Sequence, residues 1–373
     1  MDTAGGRVRR SRATRRWTVA AAGLAAGSLV LAACGSSSSG SSGGSTSGKV
    51  GVSLILKTLS NPYFVSMEKD AKTEAAKDNV NLTVAAGKED GDTQTQISAI
   101  DNAISRGDKG ILITENGNAV NTELAKARQA GLYVIALDTV PTPPSTVDIT
   151  YGTDNEAAGK LIGQYAAAKL NGGKAVIAML DLFNNQVVSV DIQRDHGFLE
   201  GMGINPGSAS LNGKEAKTGK YTGGKGGDYV IACHQPTTGA IPGGKTAMEN
   251  CLSANSNINV VYTINEPAAD GAHQALQAAG KNKVMIVTID GSCNYVNGLL
   301  KDGTIAADSA QYPGKMASIG VKTLASIARG GAKPTLPAGK DFINTGTALI
   351  TANPVPGMDS QTPEKAASAC WGS

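Results

Sequence analysis

Residues 50–67 read VGVSLILKTLSNPYFVSM. Val50 to Leu56 is a nearly unbroken apolar run, the pattern of a strand covered on both faces of a parallel sheet. Asn61-Pro62 then reads as a helix start. Asparagine accepts hydrogen bonds from the first free backbone N–H groups, and proline at the first helical position removes a donor that had no partner. From there Phe64, Met67, Ala71 and Ala75 recur at steps of three and four, which gives one buried helix stripe. The connecting KTLSNPYF sits at the carboxyl end of a strand, where open α/β sheets bind ligands. Lys57, Asn61, Tyr63 and Phe64 are therefore ligand candidates, although the two rings could equally close the top of the core.

The same strand-then-helix beat continues outward. Strands are expected at Asn81–Ala86, Gly110–Thr114 and Leu132–Leu137, and helices at Gln94–Ile104 and Ala119–Ala130. PTPPS at 141–145 interrupts the beat, and a second set begins with a helix from Asn155 to Lys169. Strands follow at Lys174–Leu180, Tyr229–Ala232, Asn259–Thr263 and Val284–Ile289. A short strand within Thr304–Pro313, a helix over 314–328 and one more strand at Thr345–Ile350 complete the pattern. Alternating βα units imply an α/β fold with doubly wound parallel sheets. Two such sets imply two lobes with a cleft between them.

The chain opens with a leader. Arg7, Arg9, Arg10, Arg12, Arg15 and Arg16 form a basic segment, Trp17 to Leu31 is small and apolar, and Leu31-Ala-Ala-Cys34 follows. This order is that of a secretory signal, and the final four residues resemble a bacterial lipobox, which implies cleavage and lipid attachment at Cys34. An apolar run of about 15 residues is short for spanning a bilayer. Gly35 to Gly48, nearly all Ser and Gly, cannot bury apolar surface and reads as a flexible tether. The formal charge is +3, but the leader holds six arginines and one aspartate, so the rest of the chain is near −2. No basic patch for nucleic acid is expected.

Four further cysteines remain: Cys233, Cys251, Cys293 and Cys370. In an exported chain an even number favours disulfides. Three pairings are open; Cys233–Cys251 with Cys293–Cys370 is favoured because the first closes a short Gly/Pro-rich loop. No CxxC or HxxxH spacing supports a metal site among them, so no metal and no cofactor are expected. GAIPGGKT at 239–246 matches the P-loop pattern, yet such a loop must turn directly from strand to helix. HQPTT intervenes after an expected strand end at Cys233, so these glycines read as a disulfide-pinned surface loop.

The polar residues fall in a fixed order: KTLSNPYF, ALD at 136–138, YGTDN at 151–155, QRDHGF at 193–198, YTINEPAADGA at 262–272, TIDG at 288–291 and AQYP at 310–313. This series resembles the ribose-binding-protein-like family of periplasmic sugar receptors, which has the type I binding-protein fold, and it looks most like the fructose-type branch. The resemblance spans nearly all of 49–350. It implies two lobes, 49–152 plus 312–346 and 153–311 plus 347–373, with hinge crossings near Gly152, Gln311–Pro313 and Thr345–Ala348. It also implies that Asn61, Tyr63, Phe64 and Asp138 contact sugar from the first lobe, and Arg194, Asn265, Asp290 and Gln311 from the second lobe or hinge. Asp154 can cap its helix or touch ligand, and Glu266 before Pro267 has a similar capping reading. Thr139 where ribose receptors carry Arg, Lys57 where they carry Ser, and Thr114-Glu115-Asn116 in place of an Asn-Pro loop all argue against ribose.

The expected function is an extracytoplasmic lipoprotein, a monomer, that delivers a monosaccharide to the membrane permease of an ABC transporter. The alternative is a signalling receptor of the same fold for a furanose autoinducer or a sensor kinase. A glycosidase would need paired carboxylates with one held protonated, and Asp138 and Asp290 are the only pair suggested by position. No enzymatic activity is expected.

Overall fold

A computed structural model describes residues 48–372; the leader, Cys34 and most of the tether lie outside the described residues. The first βα set runs β1 (Val50–Leu56), α1 (Pro62–Lys77), β2 (Val80–Ala86), α2 (Thr93–Arg106), β3 (Gly110–Ile113), α3 (Asn121–Gln129), β4 (Tyr133–Leu137) and β5 (Ile149–Gly152). The second runs α4 (Asn155–Leu170), β6 (Ala175–Asp181), α5 (Ser189–Met202), β7 (Thr218–Tyr221), β8 (Gly227–Pro236), α6 (Ile241–Ala254), β9 (Val260–Thr263), α7 (Glu266–Ala278), β10 (Met285–Asp290), α8 (Cys293–Asn297) and β11 (Ile305–Ala310). The chain ends with α9 (Pro313–Ala328), β12 (Ile343–Asn344), β13 (Ala348–Ile350) and α10 (Pro363–Ala366).

Two sheets result, ordered β12-β5-β4-β3-β1-β2 and β13-β11-β10-β9-β6-β8-β7. Pairing is parallel throughout, except that β7 runs against β8 and β13 against β11. Each sheet has helices on both faces, which explains why β1, β3, β4 and β6 read as continuous apolar runs rather than alternating ones. α1 and α9 cover one face of the first sheet through Met67, Ala71, Met316 and Leu324. α2 and α3 cover the other through Ile100 and Leu124. The chain crosses between sheets three times: after Gly152, between Ala310 and Pro313, and between Asn344 and Ala348. Among the described residues no helix is long and apolar enough to cross a membrane.

Four details differ from the sequence reading. β8 continues past Cys233 to Pro236, because its polar end keeps pairing with β6 as far as Asp181. The stretch 239–246 is not a surface loop but the entry into α6, where Gly244 packs so close to the Ala268 carbonyl of α7 that a methyl group would collide with it. Gly239 turns the chain with φ 66°, Gly243 abuts the Thr237 carbonyl, and Lys245 and Thr246 are exposed. The expected strand at 345–350 shortens to β13 on the second sheet, while β12, just before it, pairs with the first. β7, largely exposed and polar, has no alternating signature and was not anticipated.

The cysteines pair as Cys233–Cys251 and Cys293–Cys370. The second bridge brings the C-terminal segment back to the start of α8. There the Trp371 ring joins the core of the first sheet, edge-on to Tyr63 at 5.3 Å, while its indole N–H donates to the Asp290 carbonyl at 2.9 Å.

Candidate functional site

The carboxyl ends of strands from both sheets converge on one cavity. Its lining includes Lys57 after β1, Asn61, Tyr63 and Phe64 at the start of α1, Asp90 after β2, and Asp138 after β4. Leu182 after β6, Val190 and Arg194 on α5, Ile264 and Asn265 before α7, Asp290 at the end of β10 and Gln311 after β11 face them from the other side. The free space between the two walls is only about 30 Å³, so their polar groups stand close to one another. A roomier hollow over Lys109, Arg128 and Lys333 is open to solvent, and its cations are exposed, so it lacks desolvated, converging polar groups.

Local chemistry places each side chain. Asn61 caps α1, its Oδ1 accepting from the Tyr63 N–H at 2.9 Å. The Tyr63 hydroxyl donates to Asp138 at 3.0 Å. Asp138 adopts left-handed backbone, φ 65°, which aspartate tolerates better than most residues. Asn265 caps α7 by accepting from the Ala268 N–H and donates its amide to the Gly239 carbonyl, both at 3.0 Å. Asn265, not Glu266, is the cap; the Glu266 carboxylate instead accepts from the Ser292 N–H at 3.0 Å. Arg194 reaches the cavity because α4 and α5 nearly touch. A methyl group at Gly159 would strike the Arg194 carbonyl, and one at Gly197 would strike that of Glu156. Its guanidinium is held by the Asn155 side chain at 2.8 Å and the Ile264 carbonyl at 2.9 Å.

Charge is concentrated here on buried side chains. Arg194 lies 3.9 Å from Asp138 on one side and 3.9 Å from Asp290 on the other. Lys57 lies 3.9 Å from the second Asp138 oxygen. These are ion-pair distances but too long for direct hydrogen bonds, so a bridging hydroxyl could accept from a cation and donate to a carboxylate. Burial pushes the Asp290 carboxyl up to about 8, with Asp308 and Asp138 adding to the rise and Arg194 opposing it. Burial likewise raises Asp90 to about 6 against the pull of Lys57. Gln311 donates to Asp290 at 2.9 Å, and its own Oε1 is buried without a partner.

The structure thus brings together Lys57, Asn61, Tyr63, Phe64, Asp138, Arg194, Asn265, Asp290 and Gln311. It does not bring Asp154, which caps α4 by accepting from the Ala157 N–H at 3.0 Å and is absent from the lining. Tyr63 and Phe64 belong both to the core and to the cavity wall. Sequence reading overlooked Asp90, although a charged residue in the loop after β2 was findable by the strand-end rule. Leu182, Val190 and Ile264 carried no signal, since apolar residues there look like any core residue.

Behind the wall lies Glu115, 2% exposed, with one carboxylate oxygen lacking a partner. Burial raises it from 4.5 to about 7, and Lys57 is the cation that opposes the rise. A carboxyl raised on folding holds a proton that the unfolded chain releases. Its contribution to stability is therefore complete below the unfolded value and is lost as pH climbs toward the folded one. Glu115→Gln, neutral at every pH, should flatten the fall in melting temperature between about pH 5 and pH 8 and raise it at the upper end. An unchanged slope would remove Glu115 as its source.

A family profile described as a periplasmic binding protein domain matches residues 52–332. The ribose import binding protein of Escherichia coli (strain K12) is 28% identical over 280 residues, covering 75% of this chain and 85% of that protein. The D-allose-binding periplasmic protein of the same organism is 26% identical over 308 residues, covering 80% and 91%. Among solved structures, a galactofuranose binding protein superposes with a TM-score of 0.70 at 22% identity over 86% of this chain and 96% of that one.

Proposed function

The chain belongs to the periplasmic binding protein domain family, a family of binding proteins and not of enzymes, and from that premise we propose that it captures one monosaccharide in the cavity between its two sheets and presents it to the permease of an ABC transporter. The observation that carries this reading is Arg194 poised between Asp138 and Asp290, 3.9 Å from each, beside Tyr63 and Phe64. Vicinal hydroxyls need donors and acceptors side by side, and charge-assisted bonds are the stronger kind. An aromatic pair takes the C–H face of a sugar ring.

The three crossings between the sheets are short, single-stranded connections, the sort that hinge motion uses to close two halves over a ligand. The ligand we favour is a fructose-like monosaccharide, a reading supported by the resemblance to the fructose-type branch and by Lys57 in the cavity wall, with Thr139 next to Asp138 and Glu115 behind the wall. The leader and Cys34 support attachment to the outer face of the membrane through a lipid, with the Ser/Gly tract as tether.

A thermal-shift screen of the chain without its leader tests this. Ligand that binds only the folded state raises the melting temperature by mass action, by about 2.7 kcal/mol of stability at a hundredfold excess over Kd. Against fructose, ribose, xylose, galactose, glucose and inositol, one sugar should give a clear shift. No shift with any of them would overturn the monosaccharide reading.

A further inference from the structure

Outside the lining of the sugar cavity, Asp181, Asp195 and His234 place one ligand atom each within 4.8 Å of one another. They come from the end of β6, the middle of α5 and the last stretch of pairing in β8. No spacing rule finds them, because 14 residues separate the first two and 39 the last two.

We propose that these three side chains form a site for a divalent cation of the zinc class. The observation that points to a ligand is Asp195. It is fully buried, its oxygens meet only the Asp181 carboxyl and no other donor, and Oδ2 lies 3.9 Å from His234 Nδ1. Asp181, 4% exposed, leaves Oδ1 without a partner. A buried carboxylate is expensive unless it is paired or coordinates a metal.

The surroundings are built as a metal site's outer shell usually is. His234 Nε2 lies 3.0 Å from Glu215 Oε1 and Nδ1 lies 2.7 Å from Asp181 Oδ2, so a cation entering here takes the place of the Nδ1 proton while Glu215 goes on holding the Nε2–H. Asp191 does not compete, since its two oxygens accept from the Leu182 and Phe183 N–H groups at 2.8 Å and 3.2 Å. The buried Tyr262 hydroxyl, itself without a partner, is close enough for its phenol to feel the charges of Asp195, Asp191 and Asp181. One imidazole nitrogen and two carboxylate oxygens suit zinc, which accepts three protein ligands with a fourth position open. Calcium prefers six to eight oxygens. The cation would clamp α5 to β6 and β8, and the chain neighbours of two of its ligands, Leu182 and Arg194, line the sugar cavity.

The test uses the untagged chain without its leader, stripped with a chelator and titrated with zinc chloride. Calorimetry and metal content after gel filtration should give one zinc per chain and a raised melting temperature. Asp195→Asn and His234→Gln should each weaken uptake at least about tenfold, whereas the double variant His196→Gln/His273→Gln should not. In wild-type protein, zinc should shift the ring NMR signals of one histidine out of three, a reading that holds even if a variant fails to fold. No uptake by wild type, uptake unchanged in both site variants, or movement of the other histidines instead would overturn the proposal.

Discussion

The Asp290→Ala variant should bind its sugar at least about a hundredfold more weakly than wild type while still melting as a folded protein. Truncating one partner of a buried, hydrogen-bonded charge pair typically costs 2–5 kcal/mol of binding, much of it from the group left unpaired. Here the loss would remove an acceptor for the ligand, leave the Gln311 amide without its acceptor at 2.9 Å, and leave Arg194 with Asp138 alone. Folding should move the other way. A carboxyl raised to about 8 is a cost to the folded state at alkaline pH, so the variant's melting temperature at about pH 9 should equal or exceed that of wild type. Isothermal titration and a melting curve on the same sample separate the two effects. Wild-type affinity would remove Asp290 from the site, and a collapsed melt would make its role structural.

Opening the Cys293–Cys370 bridge should give the largest loss of stability, about 4 kcal/mol in the double serine variant. The loop it closes spans 77 residues, against 18 for Cys233–Cys251, and the constraint on the unfolded chain grows with the logarithm of loop length. For a folded body of this size that corresponds to a drop in melting temperature of roughly 6 °C. The bridge also holds Trp371 in place, with its ring on Tyr63 and its indole N–H on the Asp290 carbonyl. Sugar affinity should therefore fall along with stability, whereas the double serine variant of Cys233 and Cys251 should lose less stability. Differential scanning calorimetry of the two variants decides it: a smaller loss for the 77-residue loop than for the 18-residue loop would refute the argument.

Much of the site was legible because it lies at strand ends. An apolar run that stops at a polar residue marks the place where a strand leaves the core, and Asp138, Asp290 and Lys57 were readable on that basis. Asp154 was legible only as a choice between cap and ligand, and its contact with the Ala157 N–H assigns it to the cap. Arg194 stands mid-helix, where no local rule singles it out. It depends on Gly159 and Gly197 letting α4 and α5 approach closely, a property of two helices together.

The alternation of strand and helix, the break near residue 152, the cap at Asn61 and the polar strand ends can all be read along the chain, because hydrophobic periodicity and capping act over a few residues. The folded chain alone shows that Pro236 still belongs to a strand, that Gly244 packs α6 against α7, and that Trp371 returns to Tyr63. It alone gathered Asp181, Asp195 and His234 into one cluster. Each of these rests on contacts between residues far apart in the chain, and no local pattern encodes which distant backbone will arrive.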